Sequence, residues 1–234
     1  MIYHLFFAGV LAPMSIEIVF WTLLHVLVLV YWLGGDLGAF YTSRYLTDPG
    51  ISPDRRLMAA GIVGDVDMAP RTALILALPT GYMLAVRTGW LSAPVWTAWC
   101  VLLAGLVWLA IAWRLHLAHG RAPVWLKTID LGLRWVLLAG LAACGVAALS
   151  GAIDMPAFIA LKFLCLSAAI GMGLLIRRVL SPLGSALVGL QSPEPAAAEA
   201  KLAQTLTRAR PLVLVIWALI LAAACFGLLK PQIY

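Results

Sequence analysis

Charge is what this sequence has least of. Of 234 residues, 11% are charged and only 10 are acidic, while 64% are hydrophobic. A soluble domain is nearer one quarter charged and half apolar. An excess of this kind cannot be hidden in one soluble core, because a domain of this size still needs a polar surface. Disordered chains, coiled coils and secreted disulfide scaffolds are excluded, and an integral membrane protein is left. Cysteine is also sparse. Cys100, Cys144, Cys165 and Cys225 each stand alone inside an apolar stretch. No CxxC or Cys/His cluster exists, so zinc and iron–sulfur sites have no support and packing is the expected role.

What is present is a set of long apolar runs. Six are long enough to cross a bilayer, which takes about 20 residues per helix. They are Ile16–Tyr41, Met68–Val86, Val95–His116, Leu131–Gly151, Pro156–Arg178 and Pro211–Leu229. The expected fold is an all-α integral membrane bundle of six transmembrane helices, a single membrane domain over residues 1–234. Met1–Met14 is apolar but short, has no basic n-region and contains Pro13. It reads as an interfacial or packed segment rather than a signal peptide. The stretch Leu190–Thr207 has the polar text of a loop, in which Pro193 and Pro195 would start a short helix.

The few charges carry an orientation. Thirteen of the sixteen Lys and Arg residues fall at one end of the spans, Arg87 and Lys230 at the other, and Lys162 inside a span. The positive-inside rule places the thirteen in the cytoplasm and both termini outside. The net charge of +6 is then topological, and nucleic acid is not required as a partner. An offset of 63 residues relates Asp67 to Asp130, Arg71 to Arg134 and Arg114 to Arg177. That pattern reads either as a parallel repeat of two hairpins or as the flanking charges that any two such hairpins share.

Ionisable groups inside a span cost about 2.5–3.5 kcal/mol on insertion scales and are functional candidates by default. His25 lies about nine residues into the first span, near mid-membrane at about 1.5 Å per residue. It can bond a neighbouring helix, or satisfy one nitrogen and offer the other to a metal. Gly34, Gly35 and Gly38 allow close approach of a helix or a flat cofactor. Asp36 needs a cationic partner, and Arg71 and Arg134 lie at matching depth. These arginines either pair with Asp36 or bind anionic groups of a ligand. Lys162 can snorkel outward, pair with Asp154 or Glu17, or share a site with His25. His116 and His119 lie roughly 15 Å deeper than His25 and fit a surface role.

The first span, LHVLVLVYWLGGDLGAFY, with His25, Trp32 and Gly34, resembles the first helix of the HemJ-like membrane protoporphyrinogen oxidases and of the CopD-like copper-resistance membrane proteins. MAPRTALILALPTGYMLA, with Pro70 and Gly81, is similar to their second helix. ALKFLCLSAAIGMGLLIRR, with Lys162, Arg177 and Arg178, resembles their lysine-bearing helix, and LLKPQIY resembles the HemJ-like ending. The resemblance implies haem b held through His25, Arg71 and Arg134 toward its propionates, and Lys162 orienting substrate carboxylates. It implies a bacterial inner-membrane protein that oxidises a porphyrinogen and hands electrons to a quinone or a redox partner.

Two other functions stay open. A CopD-like copper transporter would use soft ligands and imidazole. A non-catalytic subunit, in a homo-oligomer or larger membrane complex, would use the ten tryptophans at protein or lipid interfaces. The optical spectrum of the purified protein separates these readings.

Overall fold

A computed structural model describes residues 15–192 and 194–231. The Met1–Met14 segment, with His4, and the last three residues of the LLKPQIY ending lie outside the described residues. In chain order the helices are α1 (Ile16–Thr42), α2 (Pro53–Val66), α3 (Met68–Arg87), α4 (Val95–Leu117), α5 (Val124–Leu149), α6 (Ala157–Val179), α7 (Leu183–Gly189) and α8 (Ala196–Leu229). A 3-10 turn, Ser43–Leu46, follows α1. There is no strand among the described residues. Six helical segments are long and apolar enough to cross a membrane. They contain α1, α3, α4, α5, α6 and α8.

Proline sets most of the boundaries. Pro94, Pro123, Pro156, Pro182 and Pro195 each stand at the N-cap position, immediately before α4, α5, α6, α7 and α8. Pro53 opens α2. Proline is tolerated there because a helix start leaves backbone N–H groups unpaired anyway. Pro70 has the opposite effect on the helix before it. It has no N–H for the carbonyl of Val66, so α2 ends there and α3 starts after Asp67.

The spans deviate from the sequence expectation at two places. α5 begins at Val124 rather than Leu131, because Asp130 and Arg134 bond each other along the helix and carry it through the charges. The Leu190–Thr207 stretch is not a separate loop. From Ala196 it is helical and runs unbroken into the last span, through Pro211. The apolar residues within this polar stretch are used in packing: Leu202 and Leu206 enter a small core with Leu46, Ala186, Leu187 and Leu190.

α3 packs closely on α1 and α4, and α6 packs closely on α5 and α8. The molecule is thus two triplets, α1–α3–α4 and α5–α6–α8. Contact between the consecutive helices α4 and α5 is sparse, as it is between α1 and α8. One apolar core joins the triplets, with Val28, Trp32, Ile75, Trp108, Leu141, Ile170 and Ile216 buried in it. The α2–α3 segment has the most enclosed apolar window, 44% buried, against 11% for α8. This marks α3 as the inner span and leaves most of α8 on the outside of the bundle.

Candidate functional site

The conspicuous polar residues of the spans separate into two places. One lies toward the arginine-poor end and is built on His25. Its ring crosses from α1 to α3, where Nδ1 is 2.8 Å from Thr80 Oγ1. The Thr80 hydroxyl lies 2.7 Å from the carbonyl oxygen of Leu76 and donates to it. That bond is local, because a threonine side chain can bond back along its own helix to the carbonyl four residues earlier. With its single proton used there, Thr80 Oγ1 can only accept from His25. Nδ1 therefore carries the imidazole proton, and Nε2 keeps its lone pair.

Gly81 is what lets the ring sit there. A Cβ added at Gly81 would lie 3.0 Å from His25 Cε1 and 3.5 Å from Nε2. No hydrogen bond or ion pair to Nε2 occurs among the described residues. Lys162 is on α6. Its Nζ lies against the α8 backbone, where a Cβ at Gly227 would be 2.9 Å away. Neither Asp154 nor Glu17 pairs with it; Glu17 bonds Arg87 at 2.8 Å. His25 thus packs on Gly81 of α3 and Lys162 on Gly227 of α8, in different triplets.

The second place lies toward the arginine-rich end. Asp130 is 1% exposed, yet accepts from Trp108 Nε1 at 2.9 Å, Arg134 Nε at 3.1 Å and Arg177 at 3.0 Å. The Arg134 guanidinium also lies over the Trp108 ring. Arg71 pairs with Asp67, one turn before it on the same chain segment. The expected Asp36–arginine pair does not form: both arginines take the aspartate four residues earlier. Asp36 has no ion-pair partner among the described residues.

The glycines of α1 have different surroundings. A Cβ at Gly35 would meet the side chains of Pro70 and Ala69, so Gly35 is where α1 and α3 touch most closely. A Cβ at Gly38 would meet Val66, whereas Gly34 faces open space. His116 bonds Asp65 at 3.1 Å and ties α4 to α2, a structural role. Cys100, Cys144, Cys165 and Cys225 are all free thiols.

Sequence reasoning missed Thr80, which lies 55 residues from His25 and carries no motif. It also missed Trp108 as a partner of Asp130. The Asp-x-x-x-Arg spacing did flag Asp130, but not that it is buried.

The chemistry of the His25 donor set fits haem iron in one respect, a neutral imidazole with a fixed, lone-pair-bearing Nε2. Among the described residues no group of three His, Cys, Asp or Glu side chains is placed to hold a bare metal ion. The chain matches no protein-family model, no curated protein and no solved structure.

Proposed function

We propose that this is a multi-pass membrane protein of HemJ-like kind that holds haem b on His25 and serves a redox reaction. The observation that carries the reading is the Leu76–Thr80–His25 chain of hydrogen bonds, which holds Nε2 in the form that ligates iron. When bound, the haem would supply one-electron chemistry whose potential follows the axial ligand and the local dielectric. His25 anchors and Thr80 orients. Lys162 supplies a positive charge for a carboxylate, of the haem or of a porphyrinogen substrate. Arg134 is committed to Asp130, so Arg71, whose Asp67 partner is one-third exposed, is the better propionate partner of the two. The membrane would be a bacterial inner membrane, with the arginine-rich end in the cytoplasm and a quinone or a second membrane protein as redox partner.

The test is the optical spectrum of the purified chain, before and after addition of haem. A Soret band lost in His25→Ala is expected. In Thr80→Val, which keeps the volume but removes the acceptor, haem affinity should fall about 10–100-fold. Circular dichroism of both variants checks folding. No Soret band in the folded wild type, with or without added haem, overturns the proposal, as does an unchanged band in His25→Ala.

A further inference from the structure

We propose that the turn between α4 and α5 is a binding site for the phosphate headgroup of an anionic membrane lipid, whose acyl chains lie along these two helices. The turn encloses an open cavity of about 450 Å³, lined by Arg114, Leu117, Ala118, His119, Arg121, Ala122 and Pro123. Backbone geometry builds it. His119 and Gly120 both adopt positive φ, 46° and 83°, which folds the chain back sharply between the helix ends. Gly120 takes that conformation without a Cβ penalty, and its carbonyl accepts from Lys127 Nζ at 3.1 Å.

Charge at the cavity is of one sign. Arg114 and Arg121 are both exposed, and neither has an ion-pair partner among the described residues. Most arginines nearer the bundle axis are different: Arg71, Arg134 and Arg177 each hold an aspartate. Two planar guanidiniums at one cavity suit the oxygens of a phosphate group.

Two observations favour a lipid over a soluble anion. The first is the apolar surface flanking the cavity: Leu117 is 62% exposed, and Val124 and Trp125 beyond it are 77% and 62% exposed. Exposed tryptophan beside cationic residues is the arrangement of a membrane interface. The second is the seam. α4 and α5 follow one another through a short turn, yet pack on α3 and α6 rather than on each other. Acyl chains against the sparsely joined α4–α5 seam would cover apolar surface that the protein itself leaves open.

The test uses the full chain, purified in detergent and mixed with phosphatidylglycerol or phosphatidylcholine, with retained lipid counted by native mass spectrometry. The wild type should retain phosphatidylglycerol preferentially. The double variant Arg114→Gln/Arg121→Gln should lose about tenfold or more of that preference. A control with Arg55→Gln/Lys201→Gln, cations of the same end away from the cavity, should keep it. Equal retention of the two lipids by the wild type overturns the proposal, as does an unchanged preference in the double variant. Displacement of the lipid by millimolar inorganic phosphate alone would make the site one for a soluble anion and also overturn it.

Discussion

At the scale of single residues, the most constrained group in the protein is Asp130. A carboxylate this buried would be costly without its three donors, and those donors come from α4, α5 and α6. Asp130→Asn keeps the shape and removes the charge, leaving Arg134 buried without its ion partner. Loss of one partner of a buried pair costs about 3–5 kcal/mol. The Arg177 share is discounted for solvent screening, because that side chain is 39% exposed. The expected outcome is a clear fall in thermal stability in detergent, larger than that caused by Arg177→Gln. Equal effects of the two changes would contradict the assignment of Arg134 as the principal partner. The sequence marked His25, Asp36, Arg71, Arg134 and Lys162 as costly in a membrane, and that reasoning needed no structure. It could not choose their partners. Partner choice depends on which turn of one helix faces which turn of another, and both arginines had an aspartate one turn away on their own segment.

Helices were more legible than partners. The bounds of four spans, α1, α3, α4 and α6, fall within one or two residues of the apolar runs, because the apolar text there ends at a cap: Ser15 before α1, Asp67 before α3, Pro94 before α4 and Pro156 before α6. The starts of α5 and α8 were misplaced for one physical reason. A helix does not stop where its residues become polar if those residues can pair along it or pack at its end. The glycines give a test at this scale. Gly35→Leu would drive a side chain into Pro70 and Ala69, and Gly105→Leu would drive one into Pro79. Each should lower the thermal unfolding midpoint, by loss of the α1–α3 or the α3–α4 contact. Gly34→Leu, one residue from Gly35, has nothing within 4 Å of its Cβ position and should leave the midpoint unchanged or slightly raised. A ranking in which Gly34→Leu is the most damaging would contradict the α1–α3 contact described.

For the whole molecule, the 63-residue offset takes on a physical form. Asp67–Arg71 and Asp130–Arg134 form the same pair, one turn apart, at the start of the inner stretch of α3 and of α5. α3–α4 and α5–α6 are both closely packed hairpins. The correspondence stops at the third position, because Arg177 reaches Asp130 while Arg114 stays at the α4–α5 turn. One half of the pattern is therefore a closed interior cluster, and the other leaves a cation at the surface. Both hairpins run in the same direction, so orientation is a property of the entire bundle and a single pair of positions can decide it. Ser92, in the turn between α3 and α4, is exposed at the arginine-poor end, and Ser192, before α8, is exposed at the arginine-rich end. With the four native cysteines replaced by alanine, Ser92→Cys should react with a membrane-impermeant thiol reagent on intact cells. Ser192→Cys should react only after permeabilisation. The charge asymmetry that the positive-inside rule reads is large here, and the chain has little other charge to oppose it. The reverse labelling pattern would place the arginine-rich end outside, and with it Arg71, Asp130 and the α4–α5 turn. His25 and Lys162 would then lie nearer the cytoplasm, and any carboxylate ligand would have to approach from that side.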